Sequence, residues 1–276
     1  MKKNIPLKNK NTFKIGGKAK YYATPSSKEE LLKVLEFTKK ENLPYFILGK
    51  GSNLLISDKG FPGVVIELNF KEIIANKDVL KVGAGVSLNE FILKAKELNL
   101  GGVEWAIGIP GTIGGALYGN AGVPNHTISS IVKEVEVLKN NQFQVLKNKD
   151  CHFSYRNSIF KQKNDFIILS GTFELKGNFN QDLIKAFLKK RKTIKGHSIG
   201  SIFKNGEDYF AGKLIDDCGL KGKRIGDAIV SDINANWIIN LGNATSEDVE
   251  TLILIIKKEV KKRFNIDLKE EIKRLS

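Results

Sequence analysis

A chain of 276 residues, 41% hydrophobic and 27% charged, is long enough for one large or two medium domains, each with its own core. It holds no apolar run of membrane-spanning length. Its 45 lysines and arginines against 30 acidic residues give a formal charge of +15, spread along the chain without a dense basic run carrying interleaved aromatics, so an anionic metabolite is favoured over nucleic acid.

The basic start, Met1–Asn9, has no apolar stretch behind it, which argues against a secretory signal and for a cytoplasmic address. Ser27-Lys-Glu-Glu30 has the form of a capping box, opening a helix whose apolar face is Leu31, Leu32, Val34, Leu35 and Phe37. Tyr45–Leu48 reads as a buried strand, broken by Gly49-Lys50-Gly51-Ser52-Asn53 and resumed at Leu54–Ile56. Val64–Leu68 and Val79–Val82 are further strands, and Ser87-Leu-Asn-Glu90 opens a second capped helix running to Leu98. This alternation implies α/β or α+β layers.

Residues 108–122 then crowd six glycines and Pro110 into fifteen positions, a density that predicts neither an ordinary helix nor a strand. Such a segment suits the presentation of backbone N–H groups to a bulky anion, above all a nucleotide diphosphate. A tight structural turn is the alternative, but a turn needs only one or two such glycines. Val132–Leu138, Asn140-Asn141 and Phe143–Leu146 form a predicted hairpin, followed by a strand at Phe166–Leu175. Gln181–Lys195 reads as a basic helix with Leu183, Ile184, Phe187 and Leu188 on one side, and a domain boundary falls in it or just before it. A helix near Tyr209–Cys218, a strand at Asn236–Asn240, and a helix opened by Thr245-Ser-Glu-Asp248 and running to Phe264 follow. No internal repeat is present.

Gly49–Asn53 is neither a Walker A loop nor a G-x-G-x-x-G fingerprint, because Leu54 stands where the third glycine belongs. Alone it is a phosphate loop or a β-turn. Paired with residues 108–122 it implies a pyrophosphate held at both ends, in a dinucleotide bound outside the Rossmann frame. Tyr155-Arg156-Asn-Ser158-Ile-Phe160 sets an arginine among aromatics, suited to a carboxylate or stacked on Tyr155 at the surface. In Gly200-Ser201-Ile-Phe-Lys204-Asn205 the serine is a candidate proton donor, or a residue in a turn; no G-x-S-x-G elbow supports a nucleophile. Glu270-Glu271 lies among lysines and reads locally as solvated surface. Cys151, Cys218 and the three histidines show no metal-ligand spacing, so no metal is expected and both thiols are read as reduced.

The segments Asn11–Gly17, Leu48–Leu55, Gly108–Ala116, Asn120–Gly122, Tyr155-Arg156 with Ser158 and Phe160, Gly200–Asn205, Ala211–Asp216, Gly219–Gly222 and Ala235–Asn240 occur together in one order. That ordered set resembles the UDP-N-acetylenolpyruvoylglucosamine reductase family over nearly the whole chain. The short connection after Arg156 is similar to the family's type II branch.

The resemblance implies an α+β protein. An FAD-binding region of the p-cresol methylhydroxylase type would span 1–178 in two α+β subdomains, 1–70 and 71–178, with a smaller α+β substrate-binding C-terminal domain at 179–276. It implies FAD held by Gly49, Lys50, Gly51, Ser52, Asn53, Leu54, Ile109, Pro110, Gly111, Gly114, Gly115, Asn120 and Gly122. NADPH is the implied cosubstrate, passing a hydride to the flavin and so to C3 of UDP-N-acetylglucosamine enolpyruvate, giving UDP-N-acetylmuramate for peptidoglycan. Arg156 and Glu271 map onto the residues that stabilise the enediolate. Ser201 maps onto the proton donor to C2, and Tyr155, Lys204 and Asn205 onto substrate contacts. A monomer without nucleic-acid or membrane partners is expected.

Several positions depart from the family pattern. Gly206 replaces a proline, Asn234 a histidine, Asn265 a glycine after Phe264, and Glu270 a proline before the terminal glutamate. The segment 191–201 is shortened. Another flavoprotein of the same cofactor fold and a basic nucleic-acid binder are the rival readings.

Overall fold

Each long helix begins where a side chain satisfies the orphan N–H groups of the first turn. In the computed structural model, which describes residues 1–163, 165–190 and 194–276, Ser27 Oγ accepts from Glu30 N–H at 3.2 Å and opens helix Lys28–Lys40. Ser87 Oγ and Thr245 Oγ1 each accept, at 3.1 Å, from Glu90 and Asp248 N–H, opening Leu88–Glu97 and Ser246–Phe264. The box closes reciprocally at Ser87 and Thr245, whereas Glu30 reaches one residue further back, to the Ser26 N–H at 2.7 Å. Helix Ser246–Phe264 stops at Asn265, which takes the left-handed φ of 57° that asparagine tolerates.

The chain gathers into two compact units, neither continuous in sequence. One comprises Met1–Tyr22, Gly51–Val64 and Lys192–Ser276; the other comprises Ala23–Lys50 and Val65–Arg191. In the first, strand Lys2–Pro6 pairs antiparallel with Lys18–Ala23, Leu54–Ile56 pairs parallel with Lys273–Leu275, and Arg224–Ile225, Ala228–Val230 and Ile238–Asn240 form an antiparallel three-stranded sheet. Its core joins the two ends of the chain: Phe13, Ile15 and Leu55 are buried with Phe203, Leu252 and Ile256.

The second unit carries a five-stranded antiparallel sheet in the order Gln142–Lys147, Val132–Lys139, Phe166–Glu174, Val79–Gly83, Ile73–Asn76. The hairpin turn uses Asn140 and Asn141 at positive φ, as a two-residue turn matching the strand twist requires. Phe166–Glu174 is central and mostly buried, and Phe91 of helix Leu88–Glu97 packs on its Phe173 with ring centroids 4.8 Å apart. The fold is α+β. Among the described residues, no helix is long and apolar enough to cross a membrane.

The glycine-rich segment departs from expectation, because Ile113–Gly119 is a helix. Propensity is overridden by packing. Thr112 caps it, its Oγ1 accepting the Gly115 N–H at 3.2 Å, and it lies so close to the sheet that a Cβ on Gly114 would come within 3.0 Å of Ala84 Cβ. The glycines here permit close approach and cost helix stability that tertiary contact restores. Other bounds shift. The predicted helix Gln181–Lys195 spans Gln181–Lys190; residues 191–193 lie outside the described residues, and Lys195 is not helical. The helix near Tyr209 is Ala211–Asp217, and the strand near Asn236 is Ile238–Asn240.

Glu136 staples the second unit. Its carboxylate accepts from Lys28, from Lys81 at 2.9 Å and from the Ser170 hydroxyl at 2.9 Å. Desolvation pushes the carboxyl up, but these three donors outweigh it and hold it at about 2. Folded Glu136 therefore binds its proton more weakly than the unfolded chain does. Its stabilisation should be complete above the ordinary value of 4.5 and fade as pH falls toward about 2. Urea midpoints of the parent and Glu136→Gln should differ most at neutral pH and converge on acidification; a difference independent of pH would contradict this account.

Candidate active site

Ser201 lies in a short extended segment whose backbone is hydrogen-bonded on both edges. On one side the Ile202 N–H donates to Asn236 O at 2.9 Å, and the Asn236 side chain spans the next residue: its Oδ1 accepts from Phe203 N–H at 2.9 Å and its Nδ2 donates to Phe203 O at 2.8 Å. On the other side Glu271 N–H donates to Ile202 O and Lys204 N–H to Lys269 O, both at 2.8 Å. Ile202 and Phe203 anchor the segment in the core, each 1% exposed. Ser201 is half-buried, and among the described residues its hydroxyl has no hydrogen-bond partner. Lys204 is half-buried, while Asn205 Oδ1 accepts from Ala211 N–H at 3.0 Å and caps the following helix.

Glu271 is thus brought beside the segment that carries Ser201. Its carbonyl also accepts from Asn53 Nδ2 at 3.2 Å, and Asn53 O accepts from Lys273 N–H at 3.0 Å. The last residue of the first glycine loop is therefore tied both to Glu271 and to the strand Lys273–Leu275 that follows it. The neighbouring Glu270 has a different environment. Its carboxylate is ion-paired to both Lys257 and Arg274, and the side chain is 13% exposed. Burial pushes Glu270 up, but hydrogen bonds from Arg274 and then Lys257 outweigh it and hold the carboxyl below the usual glutamate range. Glu270 is a carboxylate fixed in its ionised form.

The two glycine loops meet at Gly49, where a Cβ would lie 2.9 Å from Thr112 Oγ1. Among the described residues, the consecutive N–H groups of Lys50, Gly51, Ser52 and Asn53 donate to nothing, and neither do those of Gly111 and Thr112. Gly51 adopts φ +59°, a turn that a side chain would strain. A run of unpaired backbone donors with a glycine at positive φ suits a diphosphate. The start of helix Ile113–Gly119 contributes differently than the glycine count implied, since the N–H groups of Ile113, Gly114 and Gly115 are spent on Val86 O, Ala84 O and Thr112 Oγ1. Asn120 takes the left-handed C-cap of that helix, donates to Ser154 O at 2.9 Å and accepts from Ser129 N–H at 3.3 Å. Leu54 is buried at the start of its strand. Ile109 N–H donates to Ala106 O, and Pro110 has no N–H to give.

Arg156 sits at φ 54°, its Nη2 donating to Gly122 O at 2.9 Å and its guanidinium stacked 5.6 Å from the centre of the exposed Tyr155 ring. Ser158, wholly buried, donates to Tyr118 O at 2.7 Å and fastens this turn to the glycine-rich helix. Of the two sequence readings of Arg156, the ring contact with Tyr155 is present, and the guanidinium is oriented by Gly122 O. Asn236 is the residue that sequence reasoning passed over. It lies in the segment Ala235–Asn240, yet nothing local separates a clamping asparagine from an ordinary turn asparagine. At two departures the substituted residue is used: Gly206 N–H donates to Tyr209 O at 3.0 Å, and Asn234 Oδ1 accepts from Asn236 N–H at 3.0 Å.

A model of an FAD binding domain matches residues 19–142, and one of the UDP-N-acetylenolpyruvoylglucosamine reductase C-terminal domain matches residues 191–275. The chain is 41% identical over 278 residues to the UDP-N-acetylenolpyruvoylglucosamine reductase of Caldanaerobacter subterraneus subsp. tengcongensis, covering 98% of this chain and 92% of the relative. It is 39% identical over 282 residues to that of Clostridium novyi, covering 99% and 91%. The crystal structure of the reductase from Thermus caldophilus matches with a TM-score of 0.85 at 32% identity, covering 99% of this chain and 98% of that one.

Asn236→Ala should leave the buried Phe203 N–H and carbonyl without partners and destabilise the protein by about 2–4 kcal/mol. Chemical denaturation checks this; a loss below about 1 kcal/mol would show that the clamp is dispensable.

Proposed function

This chain belongs to the UDP-N-acetylenolpyruvoylglucosamine reductase family, and on that footing we propose that it reduces the enolpyruvyl ether of UDP-N-acetylglucosamine to UDP-N-acetylmuramate with NADPH as cosubstrate, in the supply of peptidoglycan precursor. The observation that best supports this reading is the hydrogen bond from Glu271 N–H to Ile202 O, beside Ser201, with the Glu271 carbonyl held by Asn53 of the first glycine loop. The reading keeps an FAD-binding region over 1–178 and a substrate-binding domain over 179–276.

The free donors of Lys50–Asn53, Gly111 and Thr112 fit the FAD diphosphate, with Gly49 and Leu54 shaping the first loop. Ile109, Pro110, Gly114, Gly115, Asn120 and Gly122 shape the second segment around it. When bound, the flavin's contribution is hydride transfer, from NADPH and then to C3 of the enolpyruvyl ether.

The rest of the chemistry belongs to side chains of this chain. Hydride addition at C3 leaves charge at C2 that spreads into the adjacent carboxylate as an enediolate. Arg156 meets that charge with its planar fork, already oriented by Gly122 O. Fixed donors aimed at developing charge are commonly the largest catalytic contribution. A second stabiliser there must be a neutral carboxyl, since an ionised one repels the enediolate. Glu270, held ionised by Arg274 and Lys257, is unsuited to that task, which supports Glu271. Ser201 gives its hydroxyl proton to C2, and the alkoxide must be reprotonated before the next turnover. A serine is a weak acid, so this transfer works because the enediolate is strongly basic. Lys204, Asn205 and Tyr155 add contacts to the anionic substrate.

The purified protein should be yellow, with a flavin absorbance spectrum. In anaerobic stopped-flow, Ser201→Ala should be reduced by NADPH at nearly the parent rate, while reoxidation by UDP-N-acetylglucosamine enolpyruvate slows by about 10²–10⁴-fold. Equal loss in both half-reactions would remove Ser201 as the proton donor. A parent protein whose flavin the substrate does not reoxidise would overturn the reading as a whole.

A further inference from the structure

Glu271 lies in a C-terminal segment anchored by the buried Leu268, Ile272 and Leu275 and by the pairing of Lys273–Leu275 with Leu54–Ile56. Leu268 and Ile272 are buried, but Lys269, Glu270, Lys273 and Arg274 carry the rest of the sequence from 268 to 274. Charge adds a further tie, to the long helix. Glu270 pairs with Lys257, and Arg274 grips Glu250 bidentately, Nε to Oε1 at 2.6 Å and Nη2 to Oε2 at 2.7 Å. Arg274 also pairs with Glu270 through Nη1, closing a cluster of two carboxylates and two cations. Glu250 and Lys257 stand seven residues apart on helix Ser246–Phe264, and so on one face of it. The backbone is therefore tied to one rigid helix at residue 270 and again at residue 274, with Glu271 between. Glu270 also pairs across to Phe203, two residues from Ser201.

The geometry points to Glu270 as a positioning residue for the substrate half of the reaction, setting Glu271 against the Ser201 segment through its paired contacts to Lys257 and Arg274. This inference rests on the function proposed above. Glu270 touches no reacting atom. Its side chain is 13% exposed, so its cations cannot exchange it for water without cost, and removing one partner leaves the other poorly compensated. A displacement of about 1 Å in a catalytic group costs roughly a hundredfold in rate. Binding and reduction steps that do not use Glu271 are left alone.

The test is anaerobic stopped-flow on the flavin-loaded protein, comparing the parent with Glu270→Gln, Lys257→Met, the double variant and Glu270→Asp. Glu270→Gln should slow reoxidation by UDP-N-acetylglucosamine enolpyruvate by about ten- to a hundredfold while reduction by NADPH stays within about twofold. The double variant should be no slower than Glu270→Gln, because both changes break one contact, and Glu270→Asp should recover part of the rate. Should Glu270→Gln fail to fold or retain flavin, Lys257→Met and Glu270→Asp carry the same comparison. Reoxidation at the parent rate, equal slowing of both half-reactions, or multiplying effects of the two single changes would each overturn the inference. A parent that the substrate does not reoxidise would instead overturn the proposed function, so the two failures are distinct.

Discussion

The segment 201–204 depends on backbone hydrogen bonding along both edges, and much of the C-terminal site depends on that segment. Only Ile202 and Phe203 bury side chains, so hydrophobic anchoring alone would leave the register of Ser201 loosely determined. The Asn236 side chain and the 269–271 backbone remove that freedom by pairing nearly every polar group of residues 202–204. Because an unpaired buried amide is costly, a slip by one residue would strand several donors and acceptors together. Ser201, Glu271 and Asn53 inherit their relative order from this arrangement.

Charge is distributed by the same logic. A chain with a formal charge of +15 can leave most lysines at the surface, but each buried carboxylate needs specific compensation. Glu136 has two lysines and a serine, and Glu270 has a lysine and an arginine. Glu104, 3% exposed, is satisfied by backbone alone, accepting from Gly102 N–H at 2.7 Å and Asn180 N–H at 2.8 Å. Glu136 joins a helix to the sheet, Glu104 closes a loop, and Glu270 fastens the C-terminal segment. In each case a compensated carboxyl fastens one packing of elements.

The caps and the hairpin were legible because their signals are local. Ser87 with Glu90, Thr245 with Asp248, and the Asn140-Asn141 turn each act within a few residues, and the structure reproduces them. The edge strands Lys2–Pro6 and Ile73–Asn76 were not legible, since an edge strand rich in lysine or polar residues lacks the alternation that marks a half-buried one. At residues 108–122 the structure departs from the expectation in one respect, the helix Ile113–Gly119, for a related reason. Glycine density reports conformational freedom, and that freedom is used partly for unpaired donors at Gly111 and Thr112 and partly for a helix pressed against Ala84. Composition cannot separate those uses, because both require the same missing Cβ.

The amino-acid sequence by itself determined the family, the α+β class and the capped helices. These follow from ordered motifs and from interactions within one turn of chain. Only the tertiary structure decided that Met1–Tyr22 shares a core with the C-terminal residues, that Asn236 clamps Phe203, and that Glu270 is held by Lys257 and Arg274. Those are contacts between residues far apart in sequence or on different elements. Two adjacent glutamates are chemically identical in the sequence, and only the fold assigns Lys257 and Arg274 to Glu270.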